Sequence, residues 1–152
     1  MKEYEVNKNT IALLDMNNGK TRIVEDKRSF TISERPNKIM EHSCEYFGSS
    51  LSGRHKGTIA LTGITHKSPI LVEEESLLIF FPTSSPRLKN CSWISTKNIS
   101  DYYEENNKVV IKYLSGKKIE LDISYGIIDN QILRSALLEK NVLNRKKNQK
   151  KV

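Results

Sequence analysis

Residues 108–123 constrain this chain's fold more than any other stretch. Two segments, 108–114 and 117–123, flank Ser115-Gly116, and in the second arm Ile119, Leu121 and Ile123 alternate with Lys118, Glu120 and Asp122. A period of two gathers the apolar side chains on one face of a strand, and a short link containing glycine suits a tight hairpin. The expected fold is therefore built on antiparallel sheet.

The rest of the chain extends that expectation. Asn17-Asn18-Gly19 is a turn signal between an alternating segment ending at Leu14 and a second arm over 21–25, and 29–33 is expected as a third strand. Pro36 fits the first turn of a short helix in which Ile39, Met40, Cys44 and Phe47 recur near helical spacing until Gly48, a C-terminal stop. Strands are expected over 58–62, 69–72 and 77–81, the last an apolar run short enough to be buried. Pro82 and Pro86 bracket a turn-rich loop, after which Trp93-Ile94 starts another ordered element. A long helix is expected over 127–145. At about 100° per residue, Asn130, Arg134, Asn141 and Arg145 fall within roughly 60°, leaving an apolar surface broad enough for a second partner, such as another subunit. No internal repeat or interdomain linker stands out.

At 152 residues the chain is the size of one domain, expected over 1–145, followed by a disordered basic tail over 146–152. Net charge is +7, but from residue 134 onward seven Lys/Arg face one Glu, so six of those charges sit at the C-terminal end. The cationic character is thus a tail plus local patches. No signal segment and no run of about 18 apolar residues occurs, so a cytoplasmic protein is expected, with Cys44 and Cys91 reduced and no membrane contact. The sequons at Asn90 and Asn98 carry no meaning without a secretory route.

Polar chemistry concentrates over 41–69, which holds four of the seven glycines and all three histidines. Gly48-Ser49-Ser50-Leu51-Ser52-Gly53-Arg54-His55 imitates a phosphate loop, but Arg replaces the lysine and His the metal-binding hydroxyl. The expected order, helix before and strand after, also reverses the order that motif needs. For zinc, His42, Cys44, His55, His66 and Cys91 offer ligand types without ligand spacing, and a helical His42-x-Cys44 pair would diverge by about 200°. No nucleophile sits in a recognisable elbow. No enzyme activity, metal or cofactor is expected.

Anion binding fits the residue types better. Arg54, Lys56 and Lys67, with His55 and His66, lie in a stretch free of carboxylates after Glu45, and Arg87, Lys89 and Lys97 follow later. Ser49, Ser50, Ser84 and Ser85 supply hydroxyls, and glycines let backbone amides approach phosphate. An arginine in a glycine-bracketed loop can also enter a narrow A/T-rich minor groove. The plain alternative is a solvated basic loop.

An ordered series of residues resembles the ComK family of bacterial competence transcription factors: Tyr4-Glu5-Val6-Asn7, Cys44, Phe47-Gly48-Ser49-Ser50, Gly53-Arg54, Gly57-Thr58, Ile64, His66-Lys67, Pro69-Ile70, Phe81-Pro82-Thr83, Cys91, Trp93-Ile94-Ser95, Leu121, Ile123-Ser124-Tyr125 and Asn130-Gln131. The resemblance implies a nucleoid-associated activator of DNA-uptake genes that binds paired A/T-rich boxes in double-stranded DNA, mainly from the minor groove, as a homo-multimer. It also brings RNA polymerase and a proteolytic adaptor into view as partners. Longer members continue with an aromatic and proline-containing segment associated with adaptor-mediated proteolysis, whereas this sequence has no proline after Pro86.

The expectation is an α+β domain with a curved antiparallel sheet or open barrel, a short mid-chain helix and a C-terminal helix. Ser49, Ser50, Arg54, Lys56, His66, Lys67, Arg87 and Lys89 are its candidate DNA contacts. The alternative is a regulatory protein-interaction module that uses the apolar C-terminal helix and the acidic segments 73–75 and 101–105 without touching DNA.

Overall fold

A computed structural model of the chain describes residues 4–88 and 90–150. Six strands form one antiparallel sheet in the order β3-β2-β1-β6-β5-β4: β1 (Thr10–Asp15), β2 (Thr21–Glu25), β3 (Ser29–Ile32), β4 (Ile70–Glu73), β5 (Leu78–Pro82) and β6 (Trp93–Ser95). A second sheet contains β7 (Ile99–Glu105), β8 (Lys108–Tyr113) and β9 (Lys118–Leu121) in sequence order. The helices are α1 (Pro36–Tyr46), α2 (Leu51–Thr62) and α3 (Tyr125–Lys150). The α+β class and antiparallel pairing match the expectation. The large sheet is open, with β3 and β4 at its edges.

Alternation along the strands explains the layering. Leu13, Ile23, Phe80 and Trp93 point to one face, where they pack with Ile39, Met40 and Cys44 of α1. Their neighbours Ala12, Val24, Phe81 and Ile94 point to the other face and pack with Val109, Ile111, Tyr113 and Ile119 of the second sheet. Leu71 and Ile79 meet Leu138 and Val142 of α3 on a third cluster joined by Leu61 of α2. Both faces of β5 are thus covered, so it reads as an unbroken apolar run. Tyr113 Oη donates to Ser95 O at 2.8 Å, tying the two sheets together through a buried bond.

Helix α1 follows its sequence signals. Pro36 occupies the first turn, and Pro36, Ile39, Met40, Ser43 and Cys44 form its buried stripe. Gly48 takes φ +84°, and Ser49 N donates to Cys44 O at 2.9 Å, the paired reversal that closes a helix at glycine.

Three expectations are corrected, and one segment without an assignment proves to be a strand. Residues 58–62 are the last turns of α2 and not a strand. Thr62 Oγ1 donates back along the helix to Thr58 O at 2.7 Å, whereas Thr58 Oγ1 lies 3.3 Å from Arg54 O and donates across to Pro69 O at 2.6 Å. Ser50 caps the helix by accepting from Gly53 N at 2.9 Å, and Gly63 ends it at φ +77°. Next, 101–105 lies in β7, an edge strand joined to β8 through Asn106 and Asn107, both with positive φ as a two-residue hairpin turn requires. Pro82 closes β5 and pairs with Trp93, so the turn-rich loop begins after it. Finally, the C-terminal helix runs Tyr125–Lys150, so the helix continues through most of the stretch expected as a disordered tail; residues 151–152 of that tail lie outside the described residues.

Candidate functional site

A cleft of about 770 Å³ opens where α2 begins. Ser50, Leu51, Ser52 and His55 form one wall, residues 65–68 another, and Ser85, Pro86 and Arg87 a third, over a floor of Ile70 and Trp93. Four expected site residues therefore converge on it: Ser50, His66, Lys67 and Arg87. Lys67 is half-buried, whereas His66 and Arg87 are exposed. Glu41 of α1 is the one carboxylate among the described lining residues.

The first turn of α2 adds to the cationic character of this wall. Its leading amides lack partners within the helix, the helix dipole is positive here, and no acidic residue occupies the first turn. Gly53 keeps the turn open: an added Cβ would lie 3.0 Å from Ser50 Oγ and 3.2 Å from Ser49 Oγ. Ser49 is therefore beside the cap, half-buried, and outside the cleft lining.

Side-chain bonds hold the other two walls. Trp93 Nε1 donates to Asn37 Oδ1 at 2.8 Å, and Asn37 Nδ2 donates to Pro86 O at 2.6 Å, fastening the Arg87 loop to α1. Ser68 Oγ donates to Ile64 O at 3.0 Å. With that proton committed, His55 Nε2 carries a hydrogen and donates toward Ser68 Oγ at 3.1 Å and Thr65 O at 3.2 Å. From the far side, Gln131 and Arg134 of α3 reach the carbonyls of His66 and Lys67.

Other expected residues are placed differently. Arg54 is on α2 and not in a flexible loop; it is half-buried, does not line the cleft, and its Nε is enclosed without a hydrogen-bond partner. Its charge acts on the thiol of Cys44 across the α1–α2 junction. Lys56 is exposed, one turn beyond Ser52 on the same helix face. Lys89 lies outside the described residues.

Among the described residues, the ligand types considered for zinc form no group of three, although His55 and His66 line the same cleft. His42 Nε2 sits 3.0 Å from Glu34 Oε1, while His55 is engaged with the 65–68 segment. Burial pushes the Cys44 and Cys91 thiols up to about 11, so both stay protonated near neutral pH.

Ser52, Trp93, Asn37 and Gln131 were not among the expected site residues, although Trp93 and Gln131 belong to the family series. Gln131 had a further signal, being an amide among the apolar residues of a helix. Asn37 had none, because its partners are 49 and 56 positions away.

The chain matches the family described as ComK protein over residues 1–147. It is also similar to the competence transcription factor of Bacillus subtilis (strain 168), with 37% identity over 142 residues, covering 91% of this chain and 74% of that protein. No solved structure matches.

Proposed function

Since this chain belongs to the ComK family, we propose that it is a transcription factor for competence genes that binds double-stranded DNA through the cleft at the start of α2. The observation that carries this reading is the convergence of Lys67, Arg87, His66 and the N-terminal turn of α2 on one concave surface. Phosphate contacts use these groups: ammonium and guanidinium, hydroxyl, and helix-terminal amides. Lys56 continues the basic surface along α2. Arg54 supports the α1–α2 junction, a role its half-buried position suits better than entry into a groove.

A/T-rich boxes read from the minor groove, assembly as a homo-multimer on DNA and a cytoplasmic, nucleoid-associated location belong to the same proposal and rest on the family. RNA polymerase and a proteolytic adaptor remain partners suggested by the family alone.

Titrating the purified chain onto A/T-rich and G/C-rich duplexes over a salt series tests the reading. Lys67→Ala and Arg87→Ala are each expected to weaken binding to all sequences and to lower the salt slope by about one. Replacing A·T by I·C pairs keeps the minor-groove pattern and changes the major groove, so affinity is expected to survive that exchange. Absence of salt-dependent duplex binding would leave the protein-interaction module as the better account.

A further inference from the structure

Helix α3 shapes the cleft from behind, through two side chains that do not line it. Gln131 is 1% exposed, and its whole amide is used. Its Nε2 donates to Lys67 O at 2.9 Å and Pro82 O at 2.8 Å, while Oε1 accepts from Arg134 Nη1 at 2.7 Å. Arg134 Nη1 also donates to Lys67 O at 3.3 Å, and Nη2 donates to His66 O at 2.6 Å. Both lone pairs of the Lys67 carbonyl are thereby occupied.

This bonding falls where the backbone needs it. Lys67 has φ +49°, a left-handed conformation that a residue with a Cβ avoids unless its surroundings impose it. The opposite flank of the segment is held by His55 and Ser68. All the hydrogen-bond partners of Arg134 are oxygens of uncharged groups, so its charge is not neutralised by them.

We propose that Gln131 and Arg134 are positioning residues for nucleic-acid contact: they lock the 66–67 backbone so that the Lys67 ammonium is presented to the cleft beside the first turn of α2. The proposal rests on the reading of that cleft as the DNA surface. Gln131 is sealed from solvent and acts only through the backbone it holds. Arg134 is nearer the surface, and its role has to be separated from a direct phosphate contact.

Salt-series titrations of the full chain on one A/T-rich duplex make that separation, using Gln131→Leu, Arg134→Ala, Arg134→Lys, Lys67→Ala and each clamp variant combined with Lys67→Ala. The single clamp variants are expected to lose about tenfold in affinity and to lower the salt slope toward that of Lys67→Ala. In the Lys67→Ala background they are expected to add nothing further, because their effect passes through Lys67. Arg134→Lys should recover part of the loss by returning a donor to the His66 carbonyl. An unchanged slope in the clamp variants overturns the proposal, and so does additivity with Lys67→Ala, which would make Arg134 a direct contact. If Gln131→Leu fails to fold, the two Arg134 variants carry the same test. Failure of the parent chain to bind duplex at any salt overturns the functional reading itself, a result distinct from parental binding with unmoved slopes.

Discussion

Glu25 is a buried charge held by two side-chain donors. It is 7% exposed at the end of β2, where Tyr4 Oη donates to it, Arg28 Nε donates at 2.6 Å, and Thr10 Oγ1 lies 2.6 Å from the same tyrosine hydroxyl. Burial by itself would raise the Glu25 carboxyl, but the bonds from Arg28 and Tyr4 outweigh it and hold the group below its ordinary value. A depressed carboxylate contributes stability that is complete above its unfolded value, about 4.3, and disappears as pH falls through the folded one. Glu25→Gln is therefore expected to be less stable than the parent near neutral pH, with the difference shrinking below about pH 4. Urea unfolding of both proteins across pH checks this, and a pH-independent difference would exclude the carboxylate as its source. The acid, the phenol and the guanidinium were all legible as residue types; their meeting was not, since it brings together positions 4, 10, 25 and 28 across a strand pairing.

At the scale of elements, α2 teaches the most. Thr58, Ile59 and Thr62 have strand propensity, and two glycines precede them, so local preference opposed a helix. The helix forms because Ser50 and Gly63 cap it and Thr58 is anchored to Pro69, while the bond of Thr62 to the carbonyl one turn back satisfies its hydroxyl without favouring the helix. The cap residues were visible in the sequence, but a glycine-rich loop explained them equally well. Two substitutions within this helix have different expected effects. An added Cβ at Gly57 meets nothing within 4 Å, and Gly57→Ala is expected to stabilise by about 0.5–1 kcal/mol through helix propensity alone. At Gly53 the new methyl would press on Ser50 Oγ, so disturbance of the cap offsets the same propensity gain and Gly53→Ala is expected to be less stable than Gly57→Ala by about 1 kcal/mol. Chemical denaturation midpoints decide both, and equal effects at the two glycines would contradict the capped-helix account. Where local preference and packing agree, as in α1 and the β8–β9 hairpin, the sequence reading needed no revision of type.

Across the whole molecule, α3 is the element that faces in several directions. Leu138 and Val142 pack on β4 and β5, Ile128 on the second sheet, Gln131 and Arg134 on the cleft segment, and Asn141 Nδ2 donates to Leu61 O at 2.7 Å. Tyr102 Oη adds a bond to Asp129 at 2.6 Å, fastening β7 to the same helix. This breadth of contact accounts for part of the wide apolar arc seen in the sequence. Leu133 and Leu137 remain 59% and 41% exposed, one turn apart on one side. They provide the surface expected to mediate self-association of the proposed multimer. Leu133→Glu with Leu137→Glu is expected to lower the mass of the assembled protein on DNA while leaving the melting transition near that of the parent, as sedimentation and thermal unfolding would report. An assembly of unchanged mass would remove this face from the multimer proposal.

Residue periodicity by itself determined the antiparallel hairpins, the Pro36 helix and the long C-terminal helix, because hydrophobic spacing, turn residues and caps act over a few positions. The family series from Tyr4 to Gln131 likewise lay in the sequence. Only the tertiary structure decided that 51–62 is helical, that the strands divide into two packed sheets, and that Lys67 and Arg87 share a cleft from which Arg54 is turned away. Those outcomes depend on contacts between residues far apart in the chain, such as Asn37 with Pro86 and Gln131 with Lys67, and local spacing carries no information about them.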